Sequence, residues 1–553
     1  MPRRSALVPS GNGNGMTNKT SASSRWKLEW GAAALLGLLT LGAHGSRLVH
    51  AGGLWRDEAG AVSLATLSSP DDVLRLFPHE AFPLAVPATI RLYAVLTGGS
   101  DQAFRWLGMA IGLAMAGVLW LSARVTGGTL PLLSLALISG NSAFVVFGDS
   151  MRGYGLGSLS IVLALVALTQ LLRRPALRTA TLAFVALVGA AQCLLGNSAL
   201  VAALCTAAIV TALRCGRKGT ALVVLGIGVA AGLSVLPYAL SLKEALAWSV
   251  VLPHNIGLRR IVTGLGASAG PARAVWLVLA ALALTSAVRV SKGAIGDLRN
   301  DPVWMFSALA LVLGIAAQLL FLDVLDYTPR VWYYLPLLAL VAASAEPLVA
   351  ALCRGPRAAW FRIGFAIVLA VALVALNLPR LSERMTNADL VAHQLTAAAA
   401  ADDLIVVSPW HLGISFTRYY QGPTRWTTLP DIADHRVHRY DLLKIRMVSP
   451  HPIEDVVEGV RRTLADGHRV WLVGQLPLPT PGEGVPVLVP APGDLTGWEE
   501  KPYVESWALQ FGAFLRDHAA SLEPVAIPSV DRVSTLEDMS VAVARGWRRD
   551  GAR

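Results

Sequence analysis

Apolar segments near the length of a membrane crossing recur along this chain, and that repetition leaves few architectures open. A helix needs roughly 20 residues to cross about 30 Å of hydrocarbon. Segments of about that size lie at 30–46, 105–123, 129–147, 154–172, 179–195, 198–213, 219–240, 273–290, 302–322, 331–352 and 360–378. They predict about eleven spans, the pair within 179–213 being divided only by Gly196-Asn197. With 54% hydrophobic and 15% charged residues over 553 positions, an ordinary soluble fold is excluded.

Loop charge predicts the orientation, because Lys and Arg gather on the cytoplasmic side. Basic residues fill the N-terminal tail (Arg3, Arg4, Lys19, Arg25, Lys27) and then every second loop: Arg124; Arg173, Arg174 and Arg178; Arg214, Arg217 and Lys218; Arg289, Lys292 and Arg299; Arg354, Arg357 and Arg362. A cytoplasmic tail puts Asp57, Asp149, Asp323 and Asp326 on the outer face. An odd number of spans then sends everything after about residue 380 outside. The expected division is a disordered cytoplasmic tail (1–27), a transmembrane domain (28–379) and an extracytoplasmic domain (380–553).

The net charge of +11 does not predict a nucleic-acid partner, since much of the basic excess lies in short turns where it sets topology. The glycine- and serine-rich start reads as tail and not as a signal peptide, with Met16 an alternative start. Three cysteines lie in or at the ends of spans and Cys215 in a cytoplasmic turn, so neither a disulfide framework nor metal-ligand spacing is expected.

The first outer loop, 47–104, carries the adjacent acids Asp57-Glu58 just before the apolar-periodic run Ala59 to Leu67. One reading is a helix start, where acids favour the positive end of the dipole by about 0.3–1 kcal/mol each. That run and Pro83 to Leu96 are too short to span and read as interfacial helices. Arg56, Arg91, Arg105, Arg152 and Arg330 all fall on the outer side, against the positive-inside bias. Singly, each suits snorkelling beside an aromatic belt. Together with the carboxylates they suit a lipid-borne phosphate, which Arg binds bidentately, and a hydroxyl whose proton a carboxylate takes.

These elements and their order resemble the GT-C superfamily of integral-membrane glycosyltransferases, particularly the bacterial Rgt-type, aminoarabinose-transferase-like and protein O-mannosyltransferase-like enzymes. The resemblance covers about 1–380. It rests on the first span, Asp57-Glu58, two interfacial helices, His79-Glu80-Ala81-Phe82-Pro83-Leu84 and Arg105 leading into the second span. It continues in Arg152-Gly153-Tyr154-Gly155-Leu156 and in Pro329-Arg330 with its following aromatics. The resemblance implies a polyprenyl-phosphate-linked sugar donor, an inverting displacement, and a lipid, glycan or protein acceptor at the outer face of a bacterial inner membrane. Asp57 would be the catalytic base and Glu58 would position it or the acceptor. Arg152 and Arg330 would hold the donor phosphate, with Arg105, Tyr154 and His79 further candidates near substrate. In the family the histidine is closely followed by prolines, whereas Glu80-Ala81-Phe82 intervene here.

No metal or other cofactor is expected, because Asp57 and Glu58 are adjacent and not spaced as Asp-x-Asp. Asp323 and Asp326 read as structural ion partners of Arg330, with acceptor or metal contact the other reading. Beyond 380, Leu404 to Val407 and Arg469 to Gly474 read as buried strands and Ile453 to Ala465 as an amphipathic helix, so a small α/β domain with a partly parallel sheet is expected. Arg418-Tyr419-Tyr420 reads as helix packing and Asp434 to His438 as a polar loop. The competing classes are a transporter or lipid flippase, and an inactive GT-C-like envelope scaffold.

Overall fold

The structure, a computed structural model, describes residues 15–548 apart from 81, 128, 250, 253–255, 292–300, 327, 354, 483 and 493–498. Most of the tail, and Lys292, Arg299, Tyr327 and Arg354, therefore lie outside the described residues.

Apolar sequence becomes a bundle of long helices: α1 (Gly15–His50), then after the loop helices α2 (Arg56–Thr66), α3 (Pro70–Glu80) and α4 (Ala85–Thr97), α5 (Asp101–Gly127). There follow α6 (Leu132–Ser139), α7 (Ser142–Gly148), α8 (Gly153–Arg173), α9 (Leu177–Cys193), α10 (Asn197–Arg214) and α11 (Lys218–Val235). The bundle ends with α12 (Tyr238–Ser249), α13 (Leu258–Ala269), α14 (Arg273–Ser291), α15 (Pro302–Leu325), α16 (Leu335–Leu352) and α17 (Pro356–Leu381). Among the described residues, nine helical segments are long and apolar enough to cross a membrane, which makes this a multi-pass integral membrane protein. The segment Val331–Leu352 is 94% enclosed by protein and Lys218–Val235 only 22%, so α16 is a central post and α11 a rim helix.

Two of the eleven expected spans take another form. The 179–195 segment is α9, 17 residues long. The 129–147 segment breaks at Gly140-Asn141 into α6 and α7. A break inside apolar surroundings needs partners for the freed backbone groups, and asparagines supply them. Asn141 Oδ1 accepts from Ala143 N and Phe144 N at 2.8 and 3.2 Å, and Asn377 Nδ2 donates to Gly140 O at 2.9 Å. At the other boundary, α1 begins at Gly15, so part of the stretch expected to be disordered is helix.

The turn 148–152 is held where only glycine fits. A Cβ on Gly108 of α5 would stand 2.0 Å from Asp149 O, and one on Gly155 of α8 2.0 Å from Gly148 O. This close approach of backbones sets Arg152 as the residue immediately before α8.

Residues after 381 form the expected α/β domain: α18 (Ala388–Ala398), β1 (Leu404–Ser408), α19 (Gly413–Tyr419), β2 (Arg425–Thr428), α20 (Tyr440–Val448), α21 (Glu454–Ala465), β3 (Val470–Gly474), α22 (Glu500–His518), β4 (Ala519–Val525) and β5 (Val541–Trp547). The sheet order is β2-β1-β3-β5-β4, parallel across the first three strands and antiparallel across the rest. β1 and β3 are buried on both faces, which is why they read as continuous apolar runs.

The domain seats on the first loop. Met385 N donates to Ala51 O at 2.8 Å. Arg418 and Tyr419 are more than helix packing: Arg418 NH2 and Tyr419 OH each reach Asp101 at 2.5 Å, and Leu54 N donates to Tyr419 OH at 2.5 Å. The loop holds three helices where two were expected, and α2 is mostly buried by protein. α4 exposes Leu92, Val95 and Leu96, the apolar face expected of an interfacial helix.

Candidate active site

Asp57 and Glu58 open the first turn of α2, as the helix-start reading expected, yet their surroundings differ. Glu58 is fully buried: Oε1 takes Arg105 NH1 at 2.7 Å and Met151 N at 3.0 Å, and Oε2 accepts from Trp55 N at 3.4 Å. Arg105 uses its other donors on Gly52 O and Gly53 O, at 3.1 and 2.6 Å. With these groups engaged inside the protein, the pair locks α2, α5 and the 148–152 turn together. The carboxylate of Glu58 and the guanidinium of Arg105 are thus engaged with each other and with neighbouring backbone groups.

Asp57 keeps a partly open carboxylate. Its Oδ1 lies 3.5 Å from His438 Nε2 and 3.6 Å from Arg56 Nε, and its carbonyl accepts from Arg152 NH1 at 3.1 Å. Burial pushes the carboxyl upward, but Arg152, His438, Arg56 and Arg330 outweigh it and hold the group below the usual aspartate range. Asp57 is thus ionised at neutral pH.

Glu80, which carried no role in the sequence reading, completes the cluster. Almost wholly buried at the end of α3, it lies 2.5 Å from Arg152 NH1 and 3.2 Å from His438 Nδ1. Burial raises its carboxyl, and Arg152 and His438 more than reverse that. Arg152 also stacks its guanidinium over Phe82 at 4.3 Å and leaves Nε buried without a hydrogen-bond partner among the described residues.

His438 was likewise missed, because the polar run 434–438 looks like any loop. Its position follows from Val437, fully buried with Leu64, Leu76, Phe77 and Tyr238 between α2 and α3. Around it Arg436 and Arg439 both pair with Asp434, at 2.9 and 2.7 Å, and Arg439 also pairs with Asp441 at 2.7 Å. That ionic frame stiffens the segment and aims the imidazole at both carboxylates.

The remaining candidates separate. Arg330 is exposed: its carbonyl accepts from Tyr333 N at 3.0 Å, and its side chain has no ion pair or hydrogen bond among the described residues. The expected pairing with Asp323 and Asp326 is absent: Asp326 ends α15 with φ 46° and accepts from Ile256 N at 2.9 Å. Tyr154 is buried against Phe82, Trp332 and Tyr333, with ring centroids about 6 Å apart. His79 stacks on Trp248 at 4.4 Å and lies 3.8 Å from Asp441. Burial lowers its basicity, and no hydrogen bond or ion pair joins it to Asp57. Arg91 donates to Leu67 O at 2.9 Å, capping α2. Among the described residues no group of three or more His, Cys, Asp or Glu is placed to hold a metal.

No protein family matches the sequence, and no curated protein does. Solved structures are similar at low identity. ArnT from Cupriavidus metallidurans bound to undecaprenyl phosphate is 14% identical with a TM-score of 0.48, over 80% of this chain and 93% of that one. The Archaeoglobus fulgidus oligosaccharyltransferase in the apo form is 12% identical with a TM-score of 0.47, over 81% and 69%. Both are GT-C glycosyltransferases.

Proposed function

We propose that the chain is a membrane glycosyltransferase that takes a sugar from a polyprenyl-phosphate donor at the outer face and passes it to a hydroxyl of an envelope acceptor. The observation that carries this reading is the Asp57 carboxylate, ionised and partly open beside Arg152, Arg330 and His438. The sequence elements shared with GT-C enzymes supply the donor class.

In this reading the acceptor oxygen attacks the anomeric carbon while its proton passes to Asp57. The bond from that carbon to the donor phosphate oxygen breaks, the configuration inverts, and polyprenyl phosphate leaves. Arg330, lacking an ion pair, and Arg152 take the phosphate charge, so no metal is assigned to the site. Drawing guanidinium charge toward the donor also makes Asp57 more basic, so that the base strengthens when the donor is bound. Glu80 and His438 hold Arg152 and Asp57 in place.

The test compares envelope lipids and glycans by mass spectrometry in cells lacking the gene, complemented with wild type or Asp57→Asn at matched membrane abundance. Loss of one sugar increment in the null and the variant, restored only by wild type, is the expected result. Full restoration by Asp57→Asn would remove the catalytic-base assignment.

A further inference from the structure

A cavity of about 650 Å³ opens beside this cluster between the membrane helices and the α/β domain. Its domain wall is built from Ser408, the last residue of β1, with Pro409 and His411 just after it, and from Gln475 and Pro477, which follow β3. These are the carboxyl ends of two neighbouring parallel strands. In the order β2-β1-β3 the chain runs from β1 to one side and returns on the other, so the crevice between β1 and β3 is a topological switch point, where open α/β sheets bind ligands. The floor is kept low by Gly474, at φ 93°, where a Cβ would stand 2.0 Å from Ser408 O.

The opposite wall comes from Arg260, Thr328 and Arg330 of the membrane domain and from Glu499, Glu500 and Lys501 at the start of α22. Three cations (Arg260, Arg330, Lys501) face three acids (Glu499, Glu500, Glu505), so the charged part of the lining is close to neutral, and Leu252, Val504 and Leu509 add an apolar face. Glu500 Oε2 is buried with no hydrogen bond of good geometry among the described residues, the neighbouring donor being Trp410 Nε1, which is likewise buried and not well bonded. A buried carboxylate oxygen left unsatisfied is costly unless a ligand supplies a donor. The half-buried ring of Tyr440 lines the same space.

We propose that this crevice is a saccharide site that receives the sugar portion of the acceptor, with Glu500, His411 and Gln475 bonding its hydroxyls and Arg330 at its border with the phosphate site. Calling the sugar an acceptor rests on the glycosyltransferase reading. A neutral polyol matches a balanced lining of donors and acceptors, and the volume lies within the roughly 300–1,000 Å³ of small-molecule sites. A site built to bond hydroxyls rejects groups that lack them. Burial pushes the Glu500 carboxyl up to about 7, against the pull of His438, Arg56 and Arg330. Two of those groups, Arg56 and His438, also lie within 4 Å of Asp57 Oδ1, so the crevice and the site share neighbours.

The test uses purified full chain in detergent and two probes: a panel of methyl glycosides of mannose, glucose, galactose and arabinose, followed by saturation-transfer NMR, and undecaprenyl phosphate, followed by tryptophan quenching. At least one glycoside is expected to bind wild type. Glu500→Ala and Gln475→Ala are expected to weaken it by about tenfold or more, Glu500→Gln by less, and none to change undecaprenyl phosphate binding. Absence of glycoside binding to wild type, or unchanged binding in all three variants, overturns the proposal. Loss of undecaprenyl phosphate binding in the Glu500 variants also overturns it and gives the crevice to the donor lipid. Saccharide binding lost in the variants while wild type ignores undecaprenyl phosphate would instead sink the glycosyltransferase reading and leave the crevice standing.

Discussion

His438 Nε2 lies 3.5 Å from Asp57 Oδ1, so a side chain of the α/β domain touches the carboxylate that the first loop presents. Neither domain alone contains the proposed site.

The two residues should differ in weight. Asp57→Asn removes the proton acceptor and is expected to lower transfer by about 10²–10⁴-fold. His438→Ala only loosens its surroundings and is expected to cost roughly tenfold, the equivalent of about 1.4 kcal/mol at the transition state. Sugar incorporation in membranes with matched protein amounts distinguishes them. Equal, near-complete loss in both variants would assign His438 a direct chemical role.

Glu58 and Arg105 are expected to report on stability. Removing one partner of a buried ion pair costs about 3–5 kcal/mol because the other charge is stranded. Glu58→Ala and Arg105→Ala should therefore each lower the melting temperature in detergent or deplete the protein from membranes. If either variant melts like wild type and fails only in transfer, the scaffold role is wrong.

Much of this fold was legible because helices long enough to cross a membrane announce themselves by length and apolarity alone. The strands Leu404–Ser408 and Val470–Gly474, buried on both faces, were visible for a similar reason. Gly140-Asn141 was not, since an asparagine that caps a broken span looks like any polar residue until Asn377 and the turn of α7 are seen around it. Among the candidate site residues, Asp57 and Arg152 stood out as candidates from local pattern, and the structure brings them together. Glu80, His438 and Glu500 owe their meaning to burial by distant segments, which no spacing encodes. Arg105 was expected near substrate and its side chain bonds two carbonyls and Glu58; an arginine so engaged leaves the same trace in sequence as one that faces a phosphate.

Arg330 is expected to serve the donor. Charge-assisted hydrogen bonds contribute about 1.5–3 kcal/mol, so Arg330→Ala should raise the KM for a polyprenyl-phosphate sugar by roughly ten- to a hundredfold. Arg330→Lys should recover part of that loss, since it keeps the charge without the bidentate fork. An unchanged donor KM in Arg330→Ala would detach this residue from the phosphate.

Glu500 makes stability depend on pH in a defined sense. Its folded pKa of about 7 exceeds the ordinary 4.5, so its contribution is fully present below about 4.5 and is lost as pH rises through 7. His438, Arg56 and Arg330 oppose the shift, and His411, Glu499, Lys501 and Glu505 share its cavity. Glu500→Gln should gain thermal stability relative to wild type as pH goes from 5 to 8, by at most about 3 kcal/mol. Parallel melting curves across that range would show that Glu500 titrates normally.

Because arginines are assigned the charge of the donor phosphate, chelation should leave the reaction intact. Transfer measured in membranes washed with EDTA is expected to match the untreated rate, and recovery that requires added magnesium or manganese would refute the arginine assignment.

β5 lies between β3 and β4 in the sheet, and just ahead of it Glu537 accepts from Arg56 N at 2.9 Å. A ribosome can therefore thread every apolar helix into the bilayer long before the carboxylate centre has its neighbours. Until residues 537–547 emerge, the α/β domain lacks an interior strand and α2 lacks one of its anchors. Insertion of the helices and completion of the carboxylate cluster are separated in time, and a chain ending before Glu537 would lack both this anchor of α2 and the interior strand.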